Sequence, residues 1–190
     1  MAEFNVLVAG YLSGDDDDRV GSTVSLIRDG DAVVVVDPGL VRSRSAILDP
    51  MVALGVGAED VTDVVISHHH PDHTLNVALF PNARLHDVWA WYRDDLWISR
   101  EAEGFQVSPG VSLWETPGHT PQDISTIVQT DDGVVVCTHL WWTAEGPAED
   151  PYATDPELVH ANRLRVLDLR PSLIVPGHGP GFGFTDDTPR

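Results

Sequence analysis

Short apolar runs separated by turn-forming residues set the rhythm of this chain. Residues 6–11, 23–28, 32–36, 61–66, 84–87, 111–115, 124–129, 134–138 and 172–175 read as strands. Asp29-Gly30-Asp31 and Asp131-Asp132-Gly133 supply hairpin turns between neighbouring runs. Apolar positions at 46, 47, 48, 51, 52 and 54 predict an amphipathic helix over 43–54, with Gly55 as its stop and Asp49-Pro50 as a weak point. A short helix is expected over 74–80. A longer one is capped by Asp155, has Pro156 at its first position and runs to about residue 169. Residues 140–155 read as a loop carrying Trp141 and Trp142, and the polar tail from Phe182 as frayed. Trp89, Trp91, Tyr92 and Trp97 crowd residues 88–97, either as a satellite core or as the mouth of a pocket. Antiparallel groups of strands with helices between them predict two sheets packed face to face, helices on their outer faces, in one domain over residues 1–190.

Composition narrows the function classes. Apolar residues make up 42% of the 190, enough for a real core. No apolar stretch approaches the roughly 20 residues of a membrane-spanning helix. The first eight residues lack the basic and long apolar segments of a secretory signal. Cys137 is the only cysteine, so no intrachain disulfide can form and a cytoplasmic setting is expected. Thirty acidic residues against 11 basic ones give a net charge of −19; all 11 are Arg and none is Lys. Such a surface offers no basic stripe for nucleic acid and repels anionic lipid, which leaves a small molecule as the expected partner. A host with generally acidic proteins would account for the charge, and the Asp run within 14–18 reads as a solvated loop tip. Gly-x-Ser-x-Gly is absent, and without Lys there is no phosphate-cradling loop of the usual kind.

Nine histidines remain to be explained. His68, His69, His70, His73, His119 and His178 all follow strand-like runs, in loops marked by Pro or Gly. In His68-His69-His70-Pro71-Asp72-His73, extended backbone points His68 and His70 the same way. Pro71 then turns the chain so that Asp72 and His73 face a second point. One segment can thus serve two cations about 3.5–4 Å apart, the separation used by two-metal hydrolases. Imidazole with carboxylate suits Zn²⁺, and also Fe or Mn. Pro117-Gly118-His119 and Pro176-Gly177-His178 repeat one device, a strand end bent by Gly to turn an imidazole inward.

His68-x-His70-x-Asp72-His73, with His119 and His178, resembles the metallo-β-lactamase fold superfamily over nearly the whole chain. The resemblance implies an α/β four-layer αβ/βα sandwich with a dinuclear metal site, two Zn per chain, at one edge of the sheets. It implies His68, His70 and His119 as ligands of the first metal, and Asp72, His73 and His178 of the second. Asp37, in Val36-Asp37-Pro38-Gly39, would hydrogen-bond a ligand imidazole and set its tautomer. Gly10-Tyr11, Thr116-Pro117-Gly118-His119, Gln122-Asp123-Ile124-Ser125 and Val175-Pro176-Gly177-His178-Gly179-Pro180 are also similar to the group called metallo-β-lactamase domain-containing protein 1. The implied activity is a metal-dependent hydrolase in which Asp72 orients an activated water. The expected substrate is a small carbonyl compound such as an ester, thioester or lactone. A phosphodiesterase or ribonuclease, as in the related group, and a non-catalytic metal-binding protein are the alternatives.

One departure changes this picture. Where the superfamily has Gly-Asp after its strand, with the Asp bridging both metals, this chain has Thr138-His139. A neutral imidazole has one free lone pair and cannot bridge as a carboxylate does. His139 is expected to bind one metal, the second; otherwise it points away and that site is weak. His69 reads as a bystander or a pocket-wall proton carrier, and His86 and His160 as structural.

Overall fold

The computed structural model describes residues 1–13 and 18–190. Most of the expected acidic loop tip falls outside the described residues. The strands run β1 (Glu3–Val8), β2 (Tyr11–Leu12), β3 (Val20–Gly21), β4 (Val24–Asp29), β5 (Ala32–Val36), β6 (Asp63–Val65), β7 (Arg84–His86), β8 (Ala90–Arg93), β9 (Leu96–Ser99), β10 (Gln106–Ser108), β11 (Val111–Glu115), β12 (Ile124–Thr130), β13 (Gly133–Thr138) and β14 (Leu173–Pro176). The α-helices are α1 (Ser45–Ala53), α2 (Pro71–Thr74) and α3 (Pro156–Asp168). One sheet has the order β1-β4-β5-β6-β7-β8-β9, a second β10-β11-β12-β13-β14, and β2-β3 form a small ribbon.

Period-two alternation decides what lies between the sheets. Ile27, Val34, Val36 and Val65 of the first sheet meet Val111, Leu113, Val128, Val135 and Cys137 of the second in a shared core. The alternate residues Leu26, Val35 and Val64 face outward and are covered by Ile47 and Met51 of α1. On the far side Ile127, Val136 and Ile174 are covered by Val159 and Val166 of α3. These strands are apolar on both faces because both faces are buried. The result is the expected four-layer αβ/βα sandwich.

The differences from expectation have local causes. Pro71 occupies the first position of α2, so the helix starts inside the histidine segment, and residues 77–79 form only a 3₁₀ turn. Strand β1 begins at Glu3 rather than residue 6, and a separate strand covers residues 11–12. Residues 90–99 form the hairpin of β8 and β9 at the sheet edge, where Trp97 is 63% exposed, so this segment is neither a closed satellite core nor a wall of the cleft described below. The tail is tied down. Phe182 exchanges two hydrogen bonds with Ile174, and the buried Trp141 donates its indole N–H to the Pro189 carbonyl at 2.8 Å. A buried indole needs an acceptor, and the tail supplies it.

Gly39 marks the closest backbone approach beside the histidine segment. A Cβ there would stand 1.6 Å from the Asp72 carbonyl oxygen. Gly39→Ala must therefore push α2 away, and we expect a loss of about 1–3 kcal/mol in urea unfolding together with weaker metal binding. Unfolding curves and metal titrations superimposable on wild type would contradict this packing argument.

Candidate metal centre

The site assembles at the carboxyl ends of strands. β5 and β6 pair in parallel with Val36 opposite Val65, so Asp37 and the segment from Ser67 leave the first sheet side by side. β13 and β14 pair in parallel with Thr138 opposite Pro176, so His139 and His178 leave the second sheet side by side. His119 follows β11 through Pro117-Gly118. Gly177 lets His139 lie against the backbone, since a Cβ there would stand 2.5 Å from the imidazole Cδ2.

The first cluster gathers around His70. Its Nδ1 lies 2.9 Å from His68 Nε2 and 3.2 Å from His119 Nε2. Nitrogens sharing a tetrahedral Zn²⁺ at about 2.0–2.1 Å would sit about 3.3 Å apart, so the spacing suits a small divalent ion. Tautomers follow from the outer nitrogens. His119 Nδ1 donates to Asp150 Oδ2 at 2.7 Å, which leaves Nε2 with its lone pair turned inward. His68 Nδ1 faces Ser67 Oγ at 3.0 Å and Asp123 Oδ1 at 3.6 Å. Burial, reinforced by the neighbouring imidazoles, holds His68 well below the ordinary histidine pKa. Burial pushes Asp123 up to about 6 despite the Thr120 N–H that it accepts at 2.6 Å.

The second cluster is built the same way. Asp37 adopts φ 50°, an unusual conformation for a residue with a Cβ, and its carboxylate accepts from the Ser67 N–H at 2.6 Å and from His73 Nδ1 at 2.9 Å. Burial works against a charged His73, but Asp37, Asp72 and Asp123 outweigh it and raise its pKa. Its Nε2 is buried without a hydrogen-bond partner. His178 Nδ1 donates to the Gly21 carbonyl at 3.1 Å, so its Nε2 also faces inward. Asp72 Oδ2 lies 3.5 Å from Nε2 of both His73 and His178.

His139 stands between the clusters. Its Nε2 is 3.1 Å from His178 Nε2, and its ring centroid lies 4.6 Å from that of His68, 4.3 Å from His119 and 4.9 Å from His73. It joins two potential ligand trios, one with His68 and His119 and one with His73 and His178. Burial and the surrounding imidazoles drive its pKa well down, and its Nδ1 is buried without a partner. It does not point away. Converging lone pairs with two orphaned ring nitrogens are unfavourable in a dry site unless a cation takes them, so the donor set fits a divalent metal.

Above the nitrogens opens a cleft of ≈ 370 Å³, lined by Leu12, Val20, Trp142 and Tyr152 together with Asp72 and the imidazoles of His70, His119, His139 and His178. Trp142 and Tyr152 stack with centroids 5.7 Å apart at 11°. Trp141 is core instead. His69 faces away, stacked on Trp89 and held by Gln122 Oε1 at 2.7 Å and Asp87 Oδ2 at 3.1 Å. His86 is buried against Asp63 at 2.8 Å, and His160 lies exposed on α3. Asp150 and Tyr152 escape sequence reasoning, and Asp123 enters it only as part of a similar segment, because only tertiary contact brings them here.

Comparison with known proteins agrees with the geometry. The family profile described as metallo-β-lactamase superfamily matches residues 17–111. A Xenopus laevis protein named metallo-β-lactamase domain-containing protein 1 is 32% identical, over 94% of this chain and 80% of its own length. The chain belongs to the metallo-β-lactamase superfamily. Family and donor set together make it a metallo-hydrolase. It spans about three fifths of the mouse and human proteins of the same name, 62% and 59% of their length. A crystal structure from Thermotoga maritima shares the fold with a TM-score of 0.77 at 21% identity, over 96% of this chain and 99% of that one. A Bacillus thuringiensis structure with N-decanoyl-L-homoserine at its active site has a TM-score of 0.67 at 22% identity, over 93% and 92% of the two chains. Among the described residues no helix is long and apolar enough to cross a membrane.

The electrostatics predict acid sensitivity in the metal-free protein. His178 is pulled from 6.5 to about 4 chiefly by burial, and His68, His70 and His139 are lowered too. Between these values the unfolded chain takes up protons that the folded chain refuses. Stability is therefore full above pH 6.5 and falls as the pH drops towards 4. The raised Asp123 opposes this as a single group, and the raised His73 acts mainly above 6.5. Thermal melting of chelator-treated protein should give a lower Tm at pH 5 than at pH 7; an equal or higher Tm at pH 5 would refute the assignment of neutral imidazoles.

Proposed function

We propose that this protein hydrolyses a small uncharged ester, thioester or lactone at a dinuclear centre. Zinc is the favoured ion, with Fe or Mn as alternatives. The observation that carries the reading is the set of imidazole lone pairs converging beneath an apolar cleft. His68, His70 and His119 would hold the first ion. Asp72, His73 and His178 would hold the second, joined by His139, with Asp37 fixing the His73 tautomer. Ions bound there acidify water towards a pKa of about 7 and polarise a carbonyl.

The chain's own groups supply the rest. Asp72 is the only carboxylate among the described residues lining the cleft, placed to orient an attacking water and accept its proton. That proton then passes to the oxygen or sulfur leaving the acyl carbon. Leu12, Val20, Trp142 and Tyr152 exclude water around an acyl group. No Arg lines the cleft among the described residues, which favours an uncharged substrate over a phosphodiester. The acylated homoserine held by the Bacillus neighbour supports a carbonyl substrate. We place the protein in the cytoplasm with a small molecule as its partner, a setting that suits its single buried thiol.

Metal analysis of purified protein should give about two ions per chain, and His139→Ala should retain about one, as expected where one site loses a ligand. On a panel of chromogenic ester, thioester, lactone, β-lactam and phosphodiester substrates we expect turnover of the first three. Asp72→Asn should lower kcat by about 10²–10⁴-fold, the usual worth of a positioned acid-base group. Turnover of phosphodiesters alone would replace this reading with the nuclease alternative; full metal loading with no turnover would favour a binding protein.

A further inference from the structure

Asp150 makes more contacts than an imidazole orienter needs. Its Oδ2 accepts from His119 Nδ1 at 2.7 Å and from the Trp142 indole Nε1 at 3.3 Å. Its Oδ1 accepts from the Tyr152 backbone N–H at 2.9 Å. One carboxylate thus holds an imidazole of the donor cluster and both aromatic residues of the cleft wall. Burial raises its pKa, but the His119, Tyr152 and Trp142 hydrogen bonds outweigh this and keep it a carboxylate.

The segment carrying these groups is fastened from below. Arg163 of α3 is 1% exposed and donates Nε to the Leu140 carbonyl, Nη1 to that of Ala148 and Nη2 to that of Pro147, each at 2.8 Å. From the other end, the Thr154 N–H bonds the His119 carbonyl at 3.1 Å and the Asp155 N–H bonds the Gly118 carbonyl at 2.9 Å. The loop is therefore anchored at both ends around His119, and a change at His119 has a short path to the Trp142 side chain through a single oxygen. When a ligand imidazole gives electron density to a cation, its Nδ1–H becomes a stronger donor. Oδ2 then binds His119 more tightly and Trp142 less.

We propose that Asp150 is a positioning residue that couples metal occupancy at His119 to the Trp142–Tyr152 wall, so that loading the metal loosens the Trp142 hydrogen bond and resets the acyl-binding face of the cleft. This rests on the hydrolase reading for its substrate but not for its metal dependence. By linkage, an acyl ligand that favours this wall setting should in turn tighten metal binding.

The test uses the full chain and Zn²⁺, which does not itself absorb or quench in the tryptophan range. Titrating metal-free protein should shift the fluorescence of wild type, and Trp142→Phe should abolish that shift while the remaining tryptophans stay unchanged. Asp150→Asn keeps the shape but leaves one acceptor oxygen in place of two, so that His119, Trp142 and the Tyr152 N–H can no longer all be accepted. It should bind Zn²⁺ about 10–100-fold more weakly, the usual effect of losing an outer partner of a ligand, and should show no shift even when saturated. Tyr152→Ala, which removes part of the wall and leaves the Asp150 carboxylate in place, should raise KM and, by the same linkage, change Zn²⁺ affinity far less than Asp150→Asn does. A wild-type titration with stoichiometric binding and flat fluorescence overturns the coupling and leaves the hydrolase reading standing. A shift that persists in saturated Asp150→Asn also overturns it. Failure of wild type to bind Zn²⁺ at all overturns both.

Discussion

Buried imidazoles whose outer nitrogens are already engaged are the constraint on which this structure turns. Four of the rings are held at their outer nitrogen: His73 by Asp37, His119 by Asp150, His178 by the Gly21 carbonyl and His68 by Ser67. In the neutral rings of His68, His119 and His178 the inner nitrogens thereby carry lone pairs that face other imidazole nitrogens at about hydrogen-bond distance. In water such pairs would be fully solvated; here most of the rings are buried, and the arrangement favours a cation. The outer partners are as much part of the centre as the nitrogens.

The sandwich exists, from the site's point of view, to bring two parallel strand pairs to one rim. β5 with β6, and β13 with β14, deliver neighbouring loops from the two sheets. The shared core behind them, from Val36 and Val65 to Cys137 and Val175, fixes their separation. Close backbone approach at Gly39 and Gly177 then leaves little freedom to the histidine segment or to His139. Rigidity at the rim suits an electrostatic site, in which a shift of about 1 Å in a donor can cost 10²-fold.

His139 gives the centre its individuality. A carboxylate at that place could present one oxygen to each ion, whereas imidazole lies among all four neighbouring rings and adds no negative charge. Asp72 is left as the only anion facing the cleft among the described residues. A pair of ions held there would be less neutralised by its ligands, which favours stronger acidification of water.

Much of this was legible in the residues alone. The strand pattern specified the layers because a chain apolar at successive positions must be buried on both faces, and six residues around Pro71 specified two donor directions through backbone geometry alone. Local rules failed where partners come from far along the chain. The tail order depends on an indole meeting Pro189, the exposure of Trp97 on its hairpin ending a sheet, and the role of Asp150 on a loop clamped by Arg163. The chain by itself therefore determined which donors exist and that they lie at strand ends. Only the tertiary structure decided that His139 turns into both clusters and that one carboxylate holds ligand and wall together, because those choices depend on how two sheets meet and not on neighbours in sequence.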